Sequence, residues 1–111
     1  MSSVFIAWSF VCVSVVAEVI GTVALRHSDG FTKLLPSASA GVCYMFAVWL
    51  MSLAMRQLEM SITYAVWAAS GTAITAVVGI FFYGEAVNSL KIFGLTLVIV
   101  GVVALNLSPK T

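Results

Sequence analysis

Charged positions cut an otherwise apolar chain into four stretches. Hydrophobic residues run from Val4 to Leu25 with one interruption, then without any charge over Leu34 to Met55, Met60 to Gly84 and Ile92 to Pro109. A helix needs about 20 residues at 1.5 Å each to cross a hydrocarbon core of roughly 30 Å. Each stretch reaches that length or nearly so, and the second and third are long enough to tilt or kink. The pattern predicts an all-α membrane protein, one domain over residues 1–111 with four transmembrane helices. The connections are short. Arg26 to Lys33 carries the turn signal Asp29-Gly30, and Pro36 opens the second helix where a missing N–H does no harm. Arg56-Gln57-Leu58-Glu59 joins spans two and three, and Glu85 to Lys91 joins three and four. No connection has room for a nucleotide-binding motif, so any pumping must draw on another energy source.

Composition agrees. Residues are 62% hydrophobic and 8% charged, where a soluble domain carries about 25% charged residues. The net charge of +1 provides no basic patch for nucleic acid. The first stretch lacks the basic flank of a signal peptide and is read as a retained span. Cys12 and Cys43 fall in apolar runs and read as small buried thiols, and His27 reads as interfacial. With an even number of spans both ends lie on one side, together with Arg56 and Lys110. Arg26, Lys33 and Lys91 fall on the other, so the basic residues barely specify an orientation.

The interruption in the first stretch is Glu18, between Ser14-Val15-Val16-Ala17 and Val19-Ile20-Gly21-Thr22. A carboxylate in hydrocarbon costs roughly 3 kcal/mol unless it takes up a proton, meets a cation or faces a watery cavity. No Lys or Arg occurs at mid-membrane anywhere in the chain, so a structural ion pair is excluded by inventory. A group that can hold a proton and a cation by turns is the core of a proton-coupled cation carrier. Ser14, Gly21 and Thr22, at i−4, i+3 and i+4, make its helix face small and partly polar, and Val11 and Val15 extend that face.

Tyr64, Trp67 and Gly71 follow one another at spacings of three and four in the third span, with Thr75 one turn on; Tyr44 and Trp49 stand in the second. Aromatic residues near span ends commonly form an interfacial belt, which suits Trp49. Tyr64 and Trp67 share a face, and Trp67 lies about two turns inside, so a second reading is an aromatic wall that binds a lipophilic cation by cation–π contact. In the fourth span Gly94 and Gly101 are seven apart with Leu97 and Val98 between them. This spacing fits a face of close helix approach, and it fits equally the general richness of membrane helices in glycine. Four helices are too few to wall off a cavity for an organic ligand.

Together these residues resemble the small multidrug resistance transporters, over nearly the whole chain. The resemblance rests on Ala17-Glu18-Val19-Ile20-Gly21-Thr22, Asp29-Gly30-Phe31-Thr32 with Pro36, Cys43-Tyr44, Trp49, Tyr64-Ala65-Val66-Trp67, Gly71 and the fourth-span glycines. It implies an antiparallel homodimer of four-helix subunits in the plasma or inner membrane. Two Glu18 carboxylates would share one cavity, and the proton gradient, with no cofactor, would drive export of lipophilic cations. By position, Glu18 would bind proton and substrate. Tyr64, Trp67 and Tyr44, with Val11, Ser14, Val15, Gly21 and Thr22, would line the site. Gly71 would be the third-helix hinge, and Gly94, Leu97, Val98 and Gly101 would form the dimer face. Guanidinium exporters of the family usually carry Trp three residues after the acid; Gly21 stands there, as in the quaternary-ammonium multidrug subtype. Val48 replaces a frequent site aromatic, Ala68-Ala69 the usual Ser-Gly after the tryptophan, Glu59 a common loop proline and Ala86 a frequent basic residue. The alternatives are a guanidinium exporter, one subunit of a heterodimeric pair, and a non-transporting proton-carrying ring subunit. In the last of these the aromatic face would have no purpose.

Overall fold

The computed structural model describes residues 2–109; Lys110, counted above among the charges that bear on orientation, lies outside them. The described residues form four helices in chain order: α1 Ser2–His27, α2 Leu34–Ala54, α3 Met60–Tyr83 and α4 Ser89–Leu107. All four are long and apolar enough to cross a membrane.

The helix ends differ slightly from the charge-free stretches, for local reasons. α1 continues past Leu25 through Arg26 and His27, whose charge or polarity suits the carbonyl-rich C-terminal end. The α1–α2 turn is organised by Ser28, which is fully buried. Its hydroxyl donates to the Leu25 carbonyl at 2.7 Å and accepts from the Phe31 N–H at 3.1 Å, while Asp29, Gly30 and Phe31 all take positive φ. α3 stops at Gly84, left-handed at φ 67°, and the Gly79 carbonyl accepts from the N–H groups of both Gly84 and Glu85. α4 starts at Ser89, one turn before the expected Ile92. Asn88 caps it by accepting from the Lys91 N–H at 2.8 Å, so a lysine sits inside the first turn. Its C-terminus falls at Leu107, because Ser108 is extended ahead of Pro109.

The helices pack unevenly. α1 lies along α2 and, over a shorter length, against α3; the main contact of α4 is with α3. The core is a ridge of α1 at four-residue spacing, Ala7, Val11, Val15 and Val19, closed by Met51 and Ala54 of α2. Trp8, Val66, Trp67 and Val78 pack around it. The Ser14 hydroxyl, fully buried, donates to the Ala47 carbonyl at 2.8 Å and ties α1 to α2. No residue of α4 is buried. Both cysteines are free. Cys43 is half-buried, but Cys12 is exposed on the outer face of α1, not enclosed as its apolar surroundings suggest.

Candidate functional site

Glu18 occupies the fifth turn of α1 on the side facing α3. Its carboxylate rests against Gly71, so closely that a Cβ at that position would overlap it. Oε1 is buried with no hydrogen-bond partner among the described residues. Oε2 has only the long 3.5 Å approach of the Thr22 hydroxyl. That hydroxyl instead satisfies the Glu18 carbonyl at 2.9 Å and meets the Tyr44 hydroxyl at 2.7 Å. Having one proton, Thr22 donates it to the carbonyl, so Tyr44 is the donor to Thr22. The resulting chain, Tyr44 to Thr22 to the Glu18 backbone, fixes the helix around the acid and leaves the carboxylate itself unsatisfied. An unsatisfied buried polar group costs about 1–3 kcal/mol, more when charged. One that persists asks for an explanation in function.

A second such atom lies on α3. Trp67 Nε1 is buried with no hydrogen-bond partner among the described residues, one turn from Gly71 on the same face. Its ring meets Tyr64 at 5.8 Å between centroids and 40° between planes, and Tyr64 is itself exposed at the subunit surface. One subunit thus holds an unmatched acceptor and an unmatched donor on facing helices, with an aromatic pair leading outward.

Glu18 opens into a cleft of about 410 Å³ lined also by Thr22, Gly71, Thr72, Thr75, Ala76, Glu85, Lys91 and Leu95. The structure therefore brings Glu18, Thr22 and Gly71 together and ties Tyr44 to them through Thr22. It puts Gly21 against α2, where a Cβ would lie 3.1 Å from Cys43 Cβ and from the Tyr44 ring. Val11, Ser14 and Val15 lie inside the α1–α2 packing and do not line this cleft. α3 runs unbroken through Gly71, where the missing side chain makes the seat for the Glu18 carboxylate. Gly94 and Gly101 have no atom outside their own helix within 4 Å of where a Cβ would stand, and Leu97 and Val98 are exposed. In the sequence Thr75 stands one turn beyond Gly71 and Glu85 and Lys91 bound a connection; the structure brings all three into the cleft. The recurrence of Gly71, Thr75 and Gly79 at four-residue intervals was the available signal, since it marks a strip of α3 with little side-chain bulk.

The model of the small multidrug resistance protein family matches residues 6–98. The uncharacterized membrane protein YvaE of Bacillus subtilis is 39% identical over 90% of this chain and 84% of its own length. Multidrug resistance protein EbrB of the same organism is 40% identical over 89% of this chain and 85% of its own. The quaternary ammonium compound-resistance protein QacF of Klebsiella aerogenes is 39% identical over 93% of this chain and 94% of its own.

Proposed function

The chain belongs to the small multidrug resistance family, and on that premise we propose that it exports lipophilic and quaternary ammonium cations from the cell in exchange for protons taken up at Glu18. The observation that carries this reading is the Glu18 carboxylate itself, with one oxygen buried and unpartnered, seated on Gly71 and open to a cleft. A proton satisfies that oxygen, and so does a cation, and no hydrogen-bond donor among the described residues reaches it. Occupation by one therefore excludes the other, which is the requirement for exchange. Tyr64 and Trp67 supply an aromatic wall for the apolar part of the cation, a contact of about 2 kcal/mol when desolvated. Tyr44 and Thr22 orient the acid. Val11, Ser14 and Val15 act from behind, by holding α1 on α2.

The working unit is a homodimer of opposed subunits. α4 buries nothing in its own subunit and carries Gly94, Leu97, Val98 and Gly101 on its open surface, which supports docking there. Opposed copies exchange conformations to alternate the open side, with Gly71 the flexible point of α3. The names of QacF and EbrB support quaternary ammonium and multidrug substrates. The crowding at Gly21 speaks against guanidinium export, because a tryptophan there would collide with Tyr44 and Cys43.

Proteoliposomes with an acidic lumen test this directly. The wild-type chain alone should accumulate tetraphenylphosphonium, while Glu18→Gln should insert normally and lose both proton-driven uptake and pH-dependent binding. Uptake by Glu18→Gln would overturn the exchange mechanism. Activity that appears only with a second, related subunit would replace the homodimer by a pair.

A further inference from the structure

Of the four acidic residues in the chain, two line the same groove. The cleft that contains Glu18 is continued by a smaller cavity of about 140 Å³, walled by Val23, Arg26, Val78, Gly79 and Tyr83. Thr22, Thr75 and Glu85 line both, so the two form one passage that runs from Glu18 to the end of the bundle where α1 and α3 finish. Glu85 follows the left-handed Gly84, and that turn folds its side chain back onto α3. Its carboxylate rests against Gly79, so closely that a Cβ there would overlap it. Each acid of the groove is thus seated on a glycine of the same helix, with Thr75 midway between the seats. Gly71 and Gly79 are eight positions apart, about 12 Å along the helix axis.

The cations at the mouth make no contact ion pair with Glu85. The Arg26 guanidinium lies over the Tyr83 ring, 4.4 Å from its centroid, and His27 Nε2 meets the Tyr83 hydroxyl at 2.7 Å. Lys91 lines the wider cleft, yet no ion pair within 4.0 Å forms between Glu85 and Arg26 or Lys91 among the described residues. The mouth thus sets an aromatic face that holds a delocalised cation beside a carboxylate that makes no contact ion pair.

We propose that Glu85 is the outer station of a two-carboxylate path, a waypoint at which a monovalent lipophilic cation pauses between bulk water and Glu18. This rests on the reading of Glu18 given above. A cation that leaves water for a low-dielectric cleft loses hydration before it gains the inner charge, and at about 12 Å that charge is largely screened by salt in open water. A carboxylate at the mouth meets the cation at that stage, and the hydroxyls of Thr22 and Thr75 line the remaining way. Because a waypoint lowers the barrier without touching the cation once it has reached Glu18, it speeds arrival and departure by the same factor.

Stopped-flow binding of tetraphenylphosphonium to the full-length protein in lipid nanodiscs separates the outcomes. Glu85→Gln should slow association and dissociation together, by roughly tenfold at low ionic strength. Affinity should change no more than about twofold, since the direct Coulomb effect across a wet 12 Å gap is small. The loss should shrink in high salt. Gly79→Ala, which keeps the charge and evicts the carboxylate from its seat, should slow both rates to a lesser degree, and Glu85→Asp should recover part of the loss. Rates in Glu85→Gln equal to wild type, or an affinity loss carried by dissociation alone, would overturn the waypoint while leaving Glu18 untouched. Failure of the wild-type chain to bind the probe at all would overturn the reading of Glu18 on which it rests.

Discussion

The most apolar windows of α1 and α4 are equally hydropathic, yet they have opposite environments. In α1, 39% of the most apolar window is buried within the subunit, and in α4 none of it is. In water, apolar character decides what is buried; in lipid it does not, because hydrocarbon chains solvate Leu and Val as well as a protein interior does. What separates the two helices is small and hydrogen-bonding residues that have found a complement. α1 presents Ala7, Ser14, Ala17 and Gly21 among its buried positions, with Ser14 bonded to the Ala47 carbonyl and Gly21 pressed against Cys43 and Tyr44. α4 has the small residues Gly94 and Gly101 with nothing against them. α1 spends its small residues inside the subunit, and α4 keeps its own on an open face.

A matched pair of glycine substitutions offers the strongest way to break this contrast. At Gly21 even a Cβ would stand 3.1 Å from two neighbours, so Gly21→Leu must force α1 and α2 apart. Overpacking of this kind costs about 3 kcal/mol. The expected result is a large fall in the unfolding midpoint in detergent, with Glu18 displaced and cation binding lost. Gly94→Leu in the same assay should change subunit stability by no more than about 0.5 kcal/mol, because the new side chain meets only lipid or detergent. Equal tolerance at both positions would show that the α1–α2 seam is not the tight one.

A second experiment sharpens the α4 side. Gly94→Leu combined with Gly101→Leu should leave the monomer folded and inserted but weaken dimer association by about 2 kcal/mol, roughly thirtyfold in dissociation constant. Energy transfer between labelled subunits diluted in bilayers would measure it, and transport should fall in parallel with dimer content. Unchanged association would move the dimer face elsewhere on the subunit. Labelling a cysteine introduced at Lys110 from outside the cell, with Cys12 and Cys43 replaced, reports orientation: about half the copies should react if the partners are opposed.

The number and rough limits of the helices were legible because charge in hydrocarbon is costly, and four charge-free stretches leave few arrangements. Glu18 stood out on the same ground. The helix ends were less legible, since capping by Asn88 and the left-handed Gly84 act through single hydrogen bonds that a hydrophobic pattern does not register. The division of the first-helix face was not legible at all. Ser14 and Thr22 flank Glu18 at i−4 and i+4, and periodicity treats them alike. In the structure Ser14 is closed inside the α1–α2 seam against the Ala47 carbonyl, whereas Thr22 borders the cleft and meets α2 at the Tyr44 hydroxyl. Glu85 reads as a connection residue for a similar reason, as its return onto Gly79 depends on the turn at Gly84.

The smallest expected effect concerns Ser14, and it tests whether α1 serves the site from the front or from behind. Its hydroxyl is fully buried and bonded to a carbonyl within α2, so Ser14→Ala removes one interhelical hydrogen bond and little volume. The Ala47 carbonyl lies within a helix and keeps its own backbone partner, so no acceptor is left unsatisfied, and the loss should be about 1 kcal/mol of subunit stability. If Ser14 acts only as a clasp, the affinity of the mutant for tetraphenylphosphonium should stay within about twofold of wild type once binding is measured on the folded fraction, a change of no more than about 0.4 kcal/mol. A tenfold loss of affinity with stability unchanged would mean that the α1–α2 seam opens during transport and presents Ser14 to the substrate, which would make the packed face of α1 part of the binding site.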